Sequence, residues 1–131
     1  MTKRIRKNED GQTLVEFALI APILFLILFG IVQYGIAFKD SITLSDAVRT
    51  GARQATVSRN APDPIATTKA SVVGAASDLD TSKLNVTVTA PPWQPGATVT
   101  VTATYPYSIN LLGIVVASGN LHSSTTERVE Y

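Results

Sequence analysis

The chain has 131 residues, enough for one small domain but not two. Its formal charge is +1, so the total suggests no polyanion and no nucleic-acid partner. It contains no cysteine, which excludes disulfides, a thiolate nucleophile and a zinc–thiolate site. An exported domain of this kind is held by its core, by assembly or by a membrane.

Charge is concentrated at the start. Lys3, Arg4, Arg6 and Lys7 precede Glu9 and Asp10, and Gly11 closes the segment. Removing residues 1–11 takes away four of eleven bases and two of ten acids, leaving −1. The basicity therefore belongs to a leader.

Residues 17–38 read FALIAPILFLILFGIVQYGIAF, twenty-two residues with Gln33 as the only strongly polar one. At about 1.5 Å per residue this run spans roughly 33 Å, about the thickness of bilayer hydrocarbon. It is apolar on every face, unlike the striped helix of a soluble domain. Three readings compete: a cleaved signal peptide, a plain anchor, or a membrane helix that later serves in an assembly. The run exceeds the h-region of a secretory signal, and Phe38-Lys39-Asp40 offers no small-residue cut. Helix-compatible sequence continues through ITLSDAVRTGARQATVSR, so the segment is expected to be retained. The basic leader puts the N-terminus in the cytoplasm and the C-terminal body outside. Pro22 predicts a bend or kink within the run. Gly30 and Gly35 lack the four-residue spacing of a GxxxG pair.

Glu16 lies at the edge of this run, where a charged side chain is costly and functional when tolerated. Gly11, then Gln12-Thr13-Leu14-Val15, then Glu16-Phe17, resembles the processing site of type IV pilin-like precursors, in particular the Flp branch. Gly11, Val15-Glu16-Phe17-Ala18-Leu19, Pro22, and then Ala47, Gly51, Ala52 and Arg53 resemble the TadE-like pseudopilins of tight-adherence (Tad/Flp) pilus systems. The strand-rich stretches PGATVTVTATYPY and STTERVE are also similar to that family.

The resemblance implies cleavage by a prepilin peptidase between Gly11 and Gln12, making Gln12 the new terminus and Glu16 its fifth residue. A free α-amine has a pKa near 7.7–8.0 and is largely cationic at neutral pH. The Glu16 carboxylate could meet the amine of a neighbouring subunit displaced along an assembly axis, so it reads as a register device. An acid in the first turn also favours the helix dipole. Further implied partners are a second TadE-like or TadG-like pseudopilin, the Flp pilin, the inner-membrane assembly platform and membrane lipid. Energy would come from an ATPase elsewhere.

Beyond the membrane, residues 41–58 extend the helix with an apolar face at Ile42, Val48, Ala52 and Ala55. Arg49, Arg53 and Arg59 form either a basic stripe for headgroups or a partner, or a solvated face. RNAPDP at 59–64 stops the helix. Asp63-Pro64 predicts a cap and first helical position for a helix over about 64–77, packing through Ile65, Val72 and Ala76. Residues 84–90 and 97–105 alternate apolar and polar and predict two half-buried strands around the turn PPWQPG. Ile109 to Val116 is a second apolar run, too short to span a bilayer. It is expected as a core segment, a short helix or loop under the sheet, with an apolar tip touching membrane or a second subunit as the alternative. Residues 120–131 predict a third, weaker strand.

Enzyme chemistry is not expected. His122 is the only histidine, and its adjacency to Ser123 and Ser124 does not supply triad geometry. Asp63, Asp78 and Asp80 are scattered, and Asp78-Leu79-Asp80 is not followed by a calcium-loop pattern. No cofactor is implied. Trp93 is expected to close its turn onto the sheet, the alternative being a stacking platform.

The expected fold is α+β and pilin-like: a leader (1–11), a long helix (12–59, membrane-spanning over 17–38) and a small extracytoplasmic domain (60–131). The expected function is a minor pilin or pseudopilin needed for pilus assembly, surface adherence and biofilm formation. The alternative is an uncleaved, signal-anchored binding module. A major filament subunit is disfavoured because the outer domain is large for an Flp-like pilin.

Overall fold

The computed structural model describes residues 9–90 and 92–130. The basic residues of the leader, Lys3 to Lys7, lie outside them, as do Pro91 and Tyr131. Helix α1, Glu9–Val57, is 49 residues long, about 74 Å at the helical rise. A single 3₁₀ turn, Ser58–Asn60, ends it. Ser58 Oγ donates to the carbonyl of Gln54 at 2.6 Å, and Pro62 and Pro64 prevent continuation. Helix α2, Pro64–Ala75, follows with Asp63 as its cap. Asp63 Oδ1 accepts from the Ala66 amide at 3.0 Å, satisfying one of the orphan donors of the first turn.

Three antiparallel strands complete the chain: β1 (Asn85–Thr89), β2 (Thr98–Leu111) and β3 (Ile114–Arg128), in the order β1-β2-β3. The arrangement is α+β. On β2, Val99, Val101 and Ala103 are buried while Thr100 and Thr102 face outward. The outward residues pair across the ladder, Thr100 with Thr126 at 2.9 Å and Thr102 with Ser124 at 3.0 Å.

The core is built on the outer half of α1. Leu44, Ala47, Val48, Ala52 and Ala55 are buried against Val72 and Ala76, Leu79, Val99, Val101, Ala103 and Val129. Strands β2 and β3 and helix α2 pack on α1, whereas β1 packs on α2. Trp93 packs its partly buried ring against this cluster from the turn.

Two packing expectations are corrected. Ile42 and Ile65 are 51% and 41% exposed, and Leu44, Ala47 and Gly51 take the inward positions on α1. The reason is angular: 44, 47/48, 51/52 and 55 recur at three and four residues and keep one face, while 42 falls off it. On α2 the inward place expected for Ile65 belongs to Thr68, one turn before Val72.

The run Ile109 to Val116 is also corrected. It is not tucked under the sheet. Strand β2 continues to Leu111, a two-residue turn at Leu112-Gly113 reverses the chain, and β3 begins at Ile114. Threonine and tyrosine favour strands, and no glycine interrupts the ladder before the apex.

Helix α2 approaches α1 closely at Gly51, where an added Cβ would collide with Val72 Cγ2. Beside it, Thr68 is fully buried and its hydroxyl has no hydrogen-bond partner among the described residues. Gly51→Ala should lower stability by about 1–3 kcal/mol through overpacking. Thr68→Val should raise it by about 1 kcal/mol, because it removes an unsatisfied buried hydroxyl at nearly constant shape. Thermal unfolding of both variants in detergent micelles checks the opposite signs.

Candidate processing and assembly site

The site residues inferred from the sequence lie on the exposed first turns of α1. Gly11 and Gln12 are already helical, and neither is buried. Gln12 Nε2 donates to Glu16 Oε1 at 3.2 Å, one helical turn away. Phe17 is 67% exposed. Gly11, Gln12, Glu16 and Phe17 thus form one contiguous segment with no other part of the described chain folded over it.

Below them the helix is bare. The most apolar 18-residue window of α1 has a mean hydropathy of 2.7, and none of it is buried within the chain. Large side chains from Leu14 to Phe38 are exposed on every face. A surface of this extent is stable in lipid or against other helices, not in water. The helix is long and apolar enough to cross a membrane. Between Gln12 and Phe38 the only charged side chain is Glu16.

Pro22 lies inside this stretch, and the helix runs through it without a break. Proline carries no amide hydrogen, so the carbonyl of Ala18 loses its usual partner four residues on. Positions Gly30 and Gly35 open onto free space, with nothing within 4 Å of an added Cβ.

Where the apolar run ends, Lys39 Nζ meets Asp78 Oδ2 at 3.2 Å. Both are well exposed, so the pair contributes at most about 1 kcal/mol. Asp80 accepts from Ser82 Oγ at 2.6 Å and pairs with Lys83 Nζ at 3.1 Å. The Ser82 hydroxyl and then Lys83 hold its carboxyl below the ordinary value of 3.8. Its contribution to stability is therefore present above that value and fades as the pH falls through the lowered one. Asp78 and Asp80 are thus engaged by neighbouring lysines. Among the described residues no three His, Asp or Glu side chains come together as metal ligands. His122 is exposed on β3.

Sequence reasoning missed a polar groove of about 660 Å³ between α1 and β3, where Arg49 and Arg53 face Arg128 together with Asp46, Glu127 and Glu130. The four-residue spacing of Arg49 and Arg53 was a signal. Arg128 could not be joined to them without the strand register. Arg59 is not part of this groove.

The model of the TadE-like protein family matches residues 11–53. This segment is TadE-like. The match covers about a third of the chain and contains every site residue named above, from Gly11 to Pro22, together with Ala47, Gly51, Ala52 and Arg53. It stops before the sheet, so the likeness first seen in the strand-rich tail has no counterpart in it. Neither the curated proteins nor the solved structures give a match.

The geometry divides the TadE-like segment into two parts. Gly11 to Ile20 and Pro22 are exposed and lie outside the core, whereas Ala47, Gly51 and Ala52 are buried and serve packing. Pro22→Ala should restore the missing helical bond and slow amide exchange at Ala21 and Ile23 in micelles. Unchanged exchange there would mean that the proline does not loosen the helix.

Proposed function

We propose that the protein is a minor pilin or pseudopilin of a Tad/Flp-type system, held in the bacterial inner membrane by α1 until it is processed. Prepilin peptidase removes residues 1–11, and the mature chain begins at Gln12. The N-terminus faces the cytoplasm and the sheet domain lies outside, as the basic leader favours. The role is structural rather than catalytic. Its consequences are pilus assembly, surface adherence and biofilm formation.

The observation that supports this reading is the setting of Glu16. It is the single charge between Gln12 and Phe38, it lies within the TadE-like match, and among the described residues its partner is the Gln12 amide. Processing would create a cationic amine four residues away. A neighbouring subunit shifted along the assembly axis can bring its amine to Glu16, with its apolar helix packed alongside. Breaking a buried pair leaves the other charge uncompensated, at a cost of about 3–5 kcal/mol. Such a pair fixes register, because only one stagger satisfies it.

Other pseudopilins, the Flp pilin and the inner-membrane platform are the partners this role requires. Gly11 suits the cut for a physical reason. It weakens the helix by about 1 kcal/mol relative to alanine, which eases the local unwinding a peptidase needs.

Intact mass and N-terminal sequencing of protein from cells expressing the Tad machinery should give a chain starting at Gln12. A larger residue at Gly11 should leave the full-length precursor. Glu16→Gln should insert and be processed normally yet fail to enter pili. A chain that keeps Met1 in such cells would instead mark a signal-anchored binding module. Normal piliation of Glu16→Gln would remove the register role.

A further inference from the structure

The β2–β3 hairpin ends in an apolar tip, and its position relative to α1 identifies what that tip touches. At its upper end the Glu130 amide donates to the Thr56 carbonyl at 3.2 Å, so the hairpin starts level with the end of α1. Twelve residues down β2, Ile109 and its strand partner Ala117 line a groove with Tyr34, Ala37 and Phe38. Strand β2 therefore runs back along α1 toward the membrane-spanning half. Three further residues at about 3.3 Å each carry the turn up to roughly 10 Å beyond the level of Tyr34.

The chemistry of the hairpin fits that destination. No Asp, Glu, Lys or Arg occurs between Lys83 and Glu127. Leu112, Ile114, Val115 and Val116 are 76%, 69%, 56% and 55% exposed, an apolar patch at the apex. Tyr34 on α1 and Tyr107 on β2 stand where the groove meets the apolar span, the place that tyrosine favours in membrane proteins.

The turn itself carries the second observation. Leu112 has φ +52° and Gly113 φ +91°, the left-handed pair of a type I′ turn. Asparagine or aspartate is favoured at the first of these positions, and leucine is strained there. The apex therefore accepts backbone strain and an exposed leucine where a polar residue would relieve both. Strain kept at an apex points to a contact made there.

We infer that the Leu112–Val116 tip inserts into the outer face of the same bilayer that α1 spans, to the boundary between headgroups and acyl chains. The proposal rests on α1 being a membrane helix. Insertion is shallow for a stated reason. Strand β1 pairs only with residues 100–104 of β2, so the lower hairpin has open backbone edges that hydrocarbon does not tolerate. The turn alone is suited to it: Asn110 Oδ1 accepts from the Gly113 amide at 2.8 Å, and Leu111 pairs with Ile114. With Tyr34 at that boundary, the reach of the tip below it matches the depth of about 5–10 Å of interfacial apolar faces. The domain thus touches the membrane at two points, α1 and the tip, which fixes its tilt.

The cysteine-free chain permits single nitroxide labels. Leu112→Cys, Thr126→Cys and Phe25→Cys are labelled in full-length protein reconstituted in phosphatidylethanolamine–phosphatidylglycerol vesicles. The label at 112 should relax faster with oxygen than with a water-soluble nickel chelate, as at 25, while 126 shows the reverse. Equal nickel access at 112 and 126 overturns tip insertion while leaving the spanning helix intact. Nickel access at 25 overturns both. Protection of 112 from both reagents, with spin–spin broadening relieved by unlabelled protein, overturns it in favour of a second copy. Leu112→Asn should unfold at the same or a higher temperature, because it suits the turn. In that background a label at Val115→Cys should lose its preference for oxygen; if the preference survives, Leu112 is not the anchor.

Discussion

Helix α1 has to be compatible with hydrocarbon along one half and serve as the floor of a folded core along the other. The transition between the two occurs within a few residues around Lys39, with no hinge. No glycine or proline lies between Gly35 and Gly51, and the helix continues unbroken. The domain is therefore coupled to the apolar half of α1 as a rigid extension of it. What makes the outer half usable is small side chains. Ala47, Gly51, Ala52 and Ala55 let α2 and the sheet approach the helix backbone closely, and Val72 occupies the space that a Cβ at Gly51 would fill.

The same division explains the TadE-like segment. Its outer part is a packing seam, and its inner part is an exposed apolar rod with one carboxylate near its end. A rod that buries nothing within its own chain needs lipid or other helices for its stability. In lipid, a lone acid is a cost until another subunit supplies a cation. Under the proposed function, processing makes that cation and assembly delivers it, so membrane storage and incorporation use the same surface. Under the inference drawn from the hairpin tip, the domain gains a second membrane contact on the outer face.

Much of this was legible in the sequence, for identifiable reasons. Periodicity of two gave β1 and the upper part of β2, because valine and threonine alternate there without interruption. Asp63-Pro64 marked the start of α2 through chemistry local to four residues. The inward face of α1 was only partly legible: Val48, Ala52 and Ala55 were found, but the large Ile42 was preferred over the small Ala47 and Gly51. Size misleads where close approach is the requirement. The hairpin apex was misread because a continuous apolar run has no period, and burial is the default for such runs. Positive φ at Leu112 has no signature in a leucine. The groove of Arg49, Arg53 and Arg128 depends on strand register, which no local pattern carries. Gly11, Gln12, Glu16 and Phe17 were legible as a residue pattern, and the fold leaves all four exposed, while the role proposed for them belongs to an assembled state.

The most direct test of the central claim is zero-length carbodiimide cross-linking of pili assembled from mixed ¹⁴N- and ¹⁵N-labelled subunits, read by mass spectrometry. The account predicts a mixed-isotope peptide in which the α-amine of Gln12 is joined to the side chain of Glu16, lost in Glu16→Gln. Pili that carry this subunit but yield no such peptide, or that yield one only within a single isotope, would contradict it.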